Sequence, residues 1–198
     1  MAIVVNKEEK RKNIALSCKS LLLEHGIKNL TISEIAKTAG IGKGTIYEYF
    51  QNKEDIVFEI MTLFVTEYEQ YFCEQMKQNI STKEKIYHFL NLLYVDEKVQ
   101  KQIAIYREFL AISLTDATPK MREFSQDCHD KFTGILTQIV EDAIKKGEIL
   151  PLALNLIGAL KIFSTGLVVD SQLLEINPHK EIDCFVETLF ALITIKDK

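Results

Sequence analysis

Between Thr31 and Lys53 the chain carries Thr31, Ser33, Lys43, Gly44, Thr45, Tyr47 and Tyr49, a run of short hydrogen-bonding groups, one cation and one residue without a side chain. Lys43 and Tyr47 are four apart, so a helix places them on one face, away from Ile46 and Phe50, which are also four apart. The chemistry open to such a face is recognition of a polyanion with polar edges, that is, duplex DNA. The Lys43 ammonium can bond O6 and N7 of guanine in a major groove. Gly44 lets the backbone come close and leaves room for a thymine methyl. The hydroxyls of Thr45, Tyr47 and Tyr49 suit phosphate oxygens, although both tyrosines can equally serve as aromatic covers for a small core. Thr31 and Ser33 open the preceding helix, whose free N–H groups and positive dipole end suit a phosphate from the other side, with Ser33 near enough for a base. Glu48 fits poorly unless it accepts from cytosine N4 or turns towards a lysine.

These groups need two short helices meeting at a tight corner. Thr31 followed three residues later by Glu34 is a capping-box pattern, with Ile32, Ile35 and Ala36 as the inner face of the helix it starts. Gly40 supplies the left-handed conformation that ends that helix, and Ile41 plugs the corner. The second helix runs from Gly42 or Lys43 to Phe50. Upstream, residues 1–6 read as a frayed tail, and Ile14, Ala15, Cys18, Leu21 and Leu22 form one stripe that His25-Gly26 ends. That helix is the floor for Ile35, Ile46 and Phe50. Its Lys10, Arg11 and Lys12 either touch phosphate or form an ordinary solvated helix start.

The whole run TISEIAKTAGIGKGTIYEYFQNKEDI, near the amino end of a chain of 198 residues, closely resembles the helix-turn-helix signature of the TetR family of bacterial transcriptional repressors. The matching features are the threonine, Ile-Ala, Ala-Gly, Gly-Thr-Ile-Tyr, the aromatic pair and Asn-Lys-Glu, and the motif region with the helix before it takes up about a quarter of the chain. The resemblance implies an all-α fold of about nine helices. A three-helix helix-turn-helix domain (1–51) would be followed by a larger helical effector-binding and dimerisation domain (52–198). It implies that the tyrosine matching Tyr47 and the following aromatic bond phosphate, and that Lys53 anchors the DNA backbone from the start of the fourth helix. It also implies a homodimer through the last two helices, released from a pseudo-palindromic operator by a small molecule. Repression, activation and architectural binding all remain open to the sequence.

Composition agrees with these expectations. Up to Lys53 there are nine Lys or Arg against five Asp or Glu, giving +4, whereas the remainder has fifteen against twenty-three, giving −8. The basic end is where phosphates would be met, and the acidic remainder suits a body held away from DNA. The apolar run in MAIVVNKEEK is too short for a signal peptide, and no uncharged apolar stretch looks long enough to cross a bilayer, so a cytoplasmic protein without a membrane partner is expected. Cys18, Cys73, Cys128 and Cys184 form no CxxC pair and sit among apolar neighbours, as reduced, mostly buried thiols would.

Further along, Asn52 and Asp55 open a long helix through Ile56, Ile60, Phe64, Tyr68 and Tyr71 towards Met76, a mechanical link from the reading unit to the rest. Ser81-Thr82-Lys83-Glu84 is a second capping box, before a helix facing inward with Ile86, Leu90 and Leu93 or with Phe89 and Leu92. A helix from Asp96 to Leu114 uses Ile103, Tyr106, Leu110 and Leu114. The next starts at Pro119 behind Thr118 and stops at Gly147. Pro151 to Leu174 and Pro178 to Ile195 are apolar on more than one face. Phe64, Tyr68, His88, Tyr106, Phe109, Phe124, Cys128, Phe132 and Phe163, with Tyr94, are the candidate lining of a mostly apolar effector cavity. The four histidines form no HExxH, adjacent helical residues Asp127 to Asp130 point apart, and GxSxG and glycine-rich phosphate loops are absent. No enzyme, metal or cofactor is therefore expected.

Overall fold

Side chains that accept from the free N–H groups of a first turn set most helix starts in the computed structural model, which describes residues 6–195. Asn6 caps α1 (Lys7–Asn29), taking the N–H of Glu8 at 3.1 Å, so it belongs to the helix and not to a tail. The rest of the expected tail lies outside the described residues. Thr31 and Glu34 form the reciprocal capping box of α2 (Ile32–Thr38). Gly42 precedes α3 (Lys43–Tyr49). Asn52 accepts from Asp55 at 2.9 Å at the head of α4 (Lys53–Met76). Ser81 and Glu84 repeat the capping box for α5 (Thr82–Asn91). Asp96 heads α6 (Glu97–Asp116), Thr118 heads α7 (Pro119–Lys145), and Asn177 heads α9 (Pro178–Ile193). Between α7 and α9 lies α8 (Ile157–Leu173), entered not by α-helix from Pro151 but by a 3-10 turn, Pro151–Leu156. Among the described residues there are nine α-helices and two 3-10 turns, with one isolated bridge, Ile149 to Thr194. The fold is all-α.

The chain packs as two units, 1–68 with 101–122, and 69–100 with 123–198, so α4, α6 and α7 each contribute residues to both. In the first unit Ile14, Ala15, Cys18 and Leu22 of α1 are buried, as are Ile35 and Ala36 of α2, Ile46 of α3, and Phe50. Ile56, Ile60 and Phe64 continue this core along α4. Gly26 does not end α1 cleanly: its φ of 72° and ψ of 176° break the helix, and a further turn runs to Asn29. On α6 the buried side chains are Gln102, Ile103, Ile105 and Phe109, whereas Leu114, expected inside, is 86% exposed.

In the second unit α4 turns Phe72 inward and leaves Tyr71 exposed, the reverse of the expected stripe. Ile86, Phe89, Leu90 and Leu92 are all buried, so the two alternative faces read for α5 are both used. α5 lies along α9, with His179 Nδ1 2.7 Å from Asn91 Oδ1 and Lys83 2.6 Å from Glu187. Leu150 N–H donates to Ile193 O and Ile195 N–H to Glu148 O, pinning the end of α9 to the segment after α7. By length and composition Pro151–Leu173 could cross a bilayer, although it is not an uncharged stretch, since it carries Lys161 and Asp170. Lys161 within it donates to His129 O at 2.8 Å, a polar tie to α7 in the middle of the apolar run.

Candidate nucleic-acid interface

The corner is closed by backbone bonds around Gly40, whose φ of +66° lets Gly40 N–H reach Lys37 O and Ile41 N–H reach Ala36 O. With Ile46 fully buried and Phe50 2% exposed, α3 is held by one face. Its other face carries Lys43, Gly44, Tyr47 and Glu48 in the open, Tyr47 at 58% exposure, with Thr45 and Tyr49 half-buried beside them. A Cβ built on Gly44 would meet nothing within 4 Å, so in the free protein the space beside it is empty. The outward face is therefore a cation, a bare backbone and a phenol, with the Glu48 carboxylate at its far end.

The groups around this row divide into exposed and committed ones. Thr31 and Ser33 are exposed at the start of α2. The Thr31 hydroxyl accepts from Glu34 N–H at 3.3 Å and lies 2.6 Å from Glu34 Oε2. That hydroxyl holds the Glu34 carboxyl below its ordinary pKa. Lys53 is half-buried and donates to Ile27 O at 3.2 Å and to Lys28 O at 3.1 Å, so its ammonium is committed to the protein's own backbone. Arg11, read as a phosphate contact or a solvated cation, is neither. Its guanidinium donates to the carbonyl of Tyr49 and to Glu59 Oε2 at 3.0 Å, and lies 4.4 Å above the Phe50 ring. A cation on the last carbonyl of α3 complements the negative end of that helix. Nothing in local spacing marks this role, because its partners are 38 and 48 residues away.

Two carboxylates, Asp55, read only as part of a helix start, and Glu108, not singled out in the sequence, also fasten this unit. Asp55, 5% exposed, accepts from Gln51 N–H at 3.0 Å and pairs with Lys120 of α7 at 2.5 Å. Glu108 of α6 takes the N–H groups of Ile27 and Lys28 at 2.7 and 2.8 Å. The Gln51 and Asn52 partners of Asp55 are local, whereas Lys120 and the two N–H groups that Glu108 takes lie 65 and 80 or more positions away and meet these carboxylates only on folding.

The candidate effector residues fall into both units. Phe64, Tyr68, Tyr106 and Phe109 belong to the first. There Phe109 meets Phe58 edge-on at 6.1 Å and lies parallel to Tyr106 at 6.5 Å, while the Tyr68 hydroxyl donates to Gln102 Oε1. His88, Phe124, Cys128, Phe132 and Phe163 belong to the second. Phe132 packs on Phe89 at 6.0 Å, whereas Phe163 stacks on Phe185 at 4.1 Å between α8 and α9. A void of about 10 Å³ bordered by Ile86, Val140, Leu160 and Phe190 is lined by none of the nine, and holds one water at most. Among the thiols, Cys18 is buried and Cys128 half-buried, but Cys73 and Cys184 are exposed, against the expectation of burial. Burial pushes the Cys128 thiol up to about 11, which keeps it protonated and unreactive at neutral pH. No group of three His, Cys, Asp or Glu residues suited to a metal occurs among the described residues.

Comparison with known proteins bears on the same corner. A family model described as "Bacterial regulatory proteins, tetR family" matches residues 19–60, from the middle of α1 into α4. The HTH-type transcriptional regulator YhgD of Bacillus subtilis (strain 168) is 30% identical over 72% of this chain and 73% of its own length. The fatty acid metabolism regulator protein of the same organism is 27% identical over 72% of each. A transcriptional regulator from Saccharomonospora viridis, crystallised in complex with choline, superposes with a TM-score of 0.76 over 96% of this chain and all of its own, and at 19% identity shows the shared fold. A buried three-helix corner with a cationic, glycine-opened face, the matching signature and a relative of this extent agree: the chain belongs to the TetR family of DNA-binding bacterial transcriptional regulators, and is not an enzyme.

Proposed function

We propose that this regulator is a homodimeric repressor that reads a pseudo-palindromic operator with α3 and leaves it when a small, mostly apolar molecule binds. The observation that carries the reading is the outward row of Lys43, Gly44 and Tyr47 on a helix whose opposite side is buried. Lys43 contacts guanine, Gly44 admits the duplex, and Thr45, Tyr47 and Tyr49 meet phosphate. Thr31 and Ser33 add contacts from the head of α2, and Lys53 steadies the corner through Ile27 and Lys28 while its remaining N–H reaches for phosphate. Lys53 apart, labour divides at residue 51: the residues up to it read DNA, and 52–198 dimerise and bind the effector. Such a protein works in the cytoplasm, where the chromosome is.

Dimerisation through α8 and α9 is supported by the apolar side chains they expose in the single chain, among them Ile162 at 75%, Leu173 at 72% and Leu192 at 72%. One reading unit binds weakly, whereas two on a twofold axis read both halves of a site on one side of the duplex. An apolar effector is supported within the first unit by the rings of Phe109, Phe58 and Tyr106, with Phe64 and Tyr68 as further contacts there; within the second unit His88, Phe124, Cys128, Phe132 and Phe163 are the candidates. The relative crystallised with choline supports a small organic ligand in this fold, and the one named for fatty acid metabolism suits an apolar one. Binding that favours the non-DNA form by about 1–3 kcal/mol lowers operator affinity several-fold to a hundredfold.

The test is fluorescence anisotropy on a duplex selected from random sequence. Lys43→Ala and Tyr47→Ala each weaken binding by about 1–3 kcal/mol, and the apparent affinity falls steeply with salt. Light scattering of both variants still gives the dimer mass. Salt-insensitive binding, or variants that bind as wild type does, would overturn the assignment of α3.

A further inference from the structure

The break in α1 leaves a problem in hydrogen bonding. Gly26 interrupts the helix with φ 72° and ψ 176°, so the turn that follows starts afresh with free N–H groups. No side chain next to the break supplies an acceptor for Ile27 and Lys28, and the next local cap, Thr31, serves α2. Glu108 of α6, some eighty positions along the chain, fills the gap: Oε2 accepts from Ile27 N–H at 2.7 Å and Oε1 from Lys28 N–H at 2.8 Å. Both oxygens of one carboxylate thus cap the turn, a charge-assisted arrangement at the positive end of a helical segment. The fit is close, since a Cβ on Gly26 would stand 2.7 Å from Glu108 Oε2. On the carbonyl side of the same turn, Lys53 at the head of α4 donates to Ile27 O and Lys28 O. Ile27 and Lys28 are thus gripped by an anion from α6 on their N–H groups and a cation from α4 on their carbonyls.

We infer that Glu108 is a positioning residue for operator reading: by capping the turn before α2 it sets where each α3 stands, and hence the phase in which two of them meet one duplex. It touches no DNA itself. The turn it holds leads through Leu30, 1% exposed, directly into the capping box of α2, and α2 packs on α3. On the same helix, Tyr106 and Phe109 flank Glu108, so a displacement of α6 at those aromatics moves the clamp with it. The inference rests on the dimeric-operator reading above, and its test separates the two.

Wild type, Glu108→Gln and Glu108→Ala of the full chain are titrated against three duplexes: the selected operator, a single half-site, and the operator with one base pair inserted at its centre. Melting temperatures are measured alongside. Loss of the clamp lowers affinity for the operator about tenfold, within the usual range of coupling between sites. It leaves the half-site within about twofold and shrinks the preference for correct spacing by the same factor. Glu108→Gln, which keeps one acceptor oxygen, falls between wild type and Glu108→Ala. Equal losses on operator and half-site with a lowered melting temperature, or an unchanged ratio, would show a merely structural contact and overturn the inference. A wild type with no preference for the operator over its half-site would instead sink the dimeric reading on which it rests.

Discussion

Gly44 is where holding the helix and reading the duplex pull in opposite directions. Within α3 an alanine there has free space for its methyl and a better helix propensity by about 1 kcal/mol. Gly44→Ala therefore raises the melting temperature while weakening operator binding, because only the duplex can supply the atoms the methyl meets. A variant that binds as tightly as wild type would place the duplex elsewhere. Glu34 gives the complementary case at the other corner helix. Thr31 lowers its pKa in the folded chain, so its contribution to stability is complete above the ordinary carboxylate range and is lost as pH falls through the lowered folded value. Urea denaturation across the acid range should show this slope in wild type and a flatter one in Glu34→Gln, with Thr31→Ala about 1 kcal/mol less stable at neutral pH. These roles were legible because capping and exposure on a seven-residue helix are local matters. Arg11 was misread for the opposite reason, as its partners Tyr49 and Glu59 come from other elements.

Helix starts were equally legible, from Thr31, Asn52, Ser81 and Thr118 onwards, since each cap acts within one turn. Inward faces were legible only in part. The expected Ile14, Cys18 and Leu22 of α1, Ile56, Ile60 and Phe64 of α4 and Ile103 of α6 are buried, but the stripes lose phase further on, where Phe72 is buried in place of Tyr71 and Ile105 and Phe109 in place of Leu114. Periodicity gives the spacing of a stripe, while its phase depends on which neighbours the helix meets. The head of α4 shows what such neighbours do: Asp55 is buried between Gln51 N–H and the Lys120 ammonium. Asp55→Ala strands the Gln51 N–H and unpairs Lys120, costing about 2–3 kcal/mol. Lys120 itself is half exposed, and its replacement by Ala costs under about 1 kcal/mol after screening by solvent. Chemical denaturation of the two variants checks the order; equal losses would mean the ion pair and not the cap holds this junction.

At the scale of the whole molecule, α8 and α9 expose apolar side chains in the single chain, Ile162, Leu173 and Leu192 among them. Introducing charge with the pair Ile162→Glu and Leu192→Glu is expected to give a monomer by light scattering, with helical content intact by circular dichroism. Operator affinity should then fall to that of a single half-site. Retention of the dimer by that variant would move the interface off these helices. The length and apolarity of Pro151–Leu173 admit a membrane-spanning reading on composition alone, and the tie from Lys161 to α7 is a feature composition cannot express.

By itself the sequence determined the helical class, the helix caps, the Gly40 corner and the row Lys43, Gly44 and Tyr47, because each depends on residues within a turn or two of one another. Tertiary structure alone decided which side chains the far ends of α4 and α6 bury, the pairing of Asp55 with Lys120, the seat of Arg11 on α3 and the hold of Glu108 on the α1 break. Those depend on groups from distant parts of the chain sharing the same few ångströms, and no spacing along the chain encodes which of them will meet.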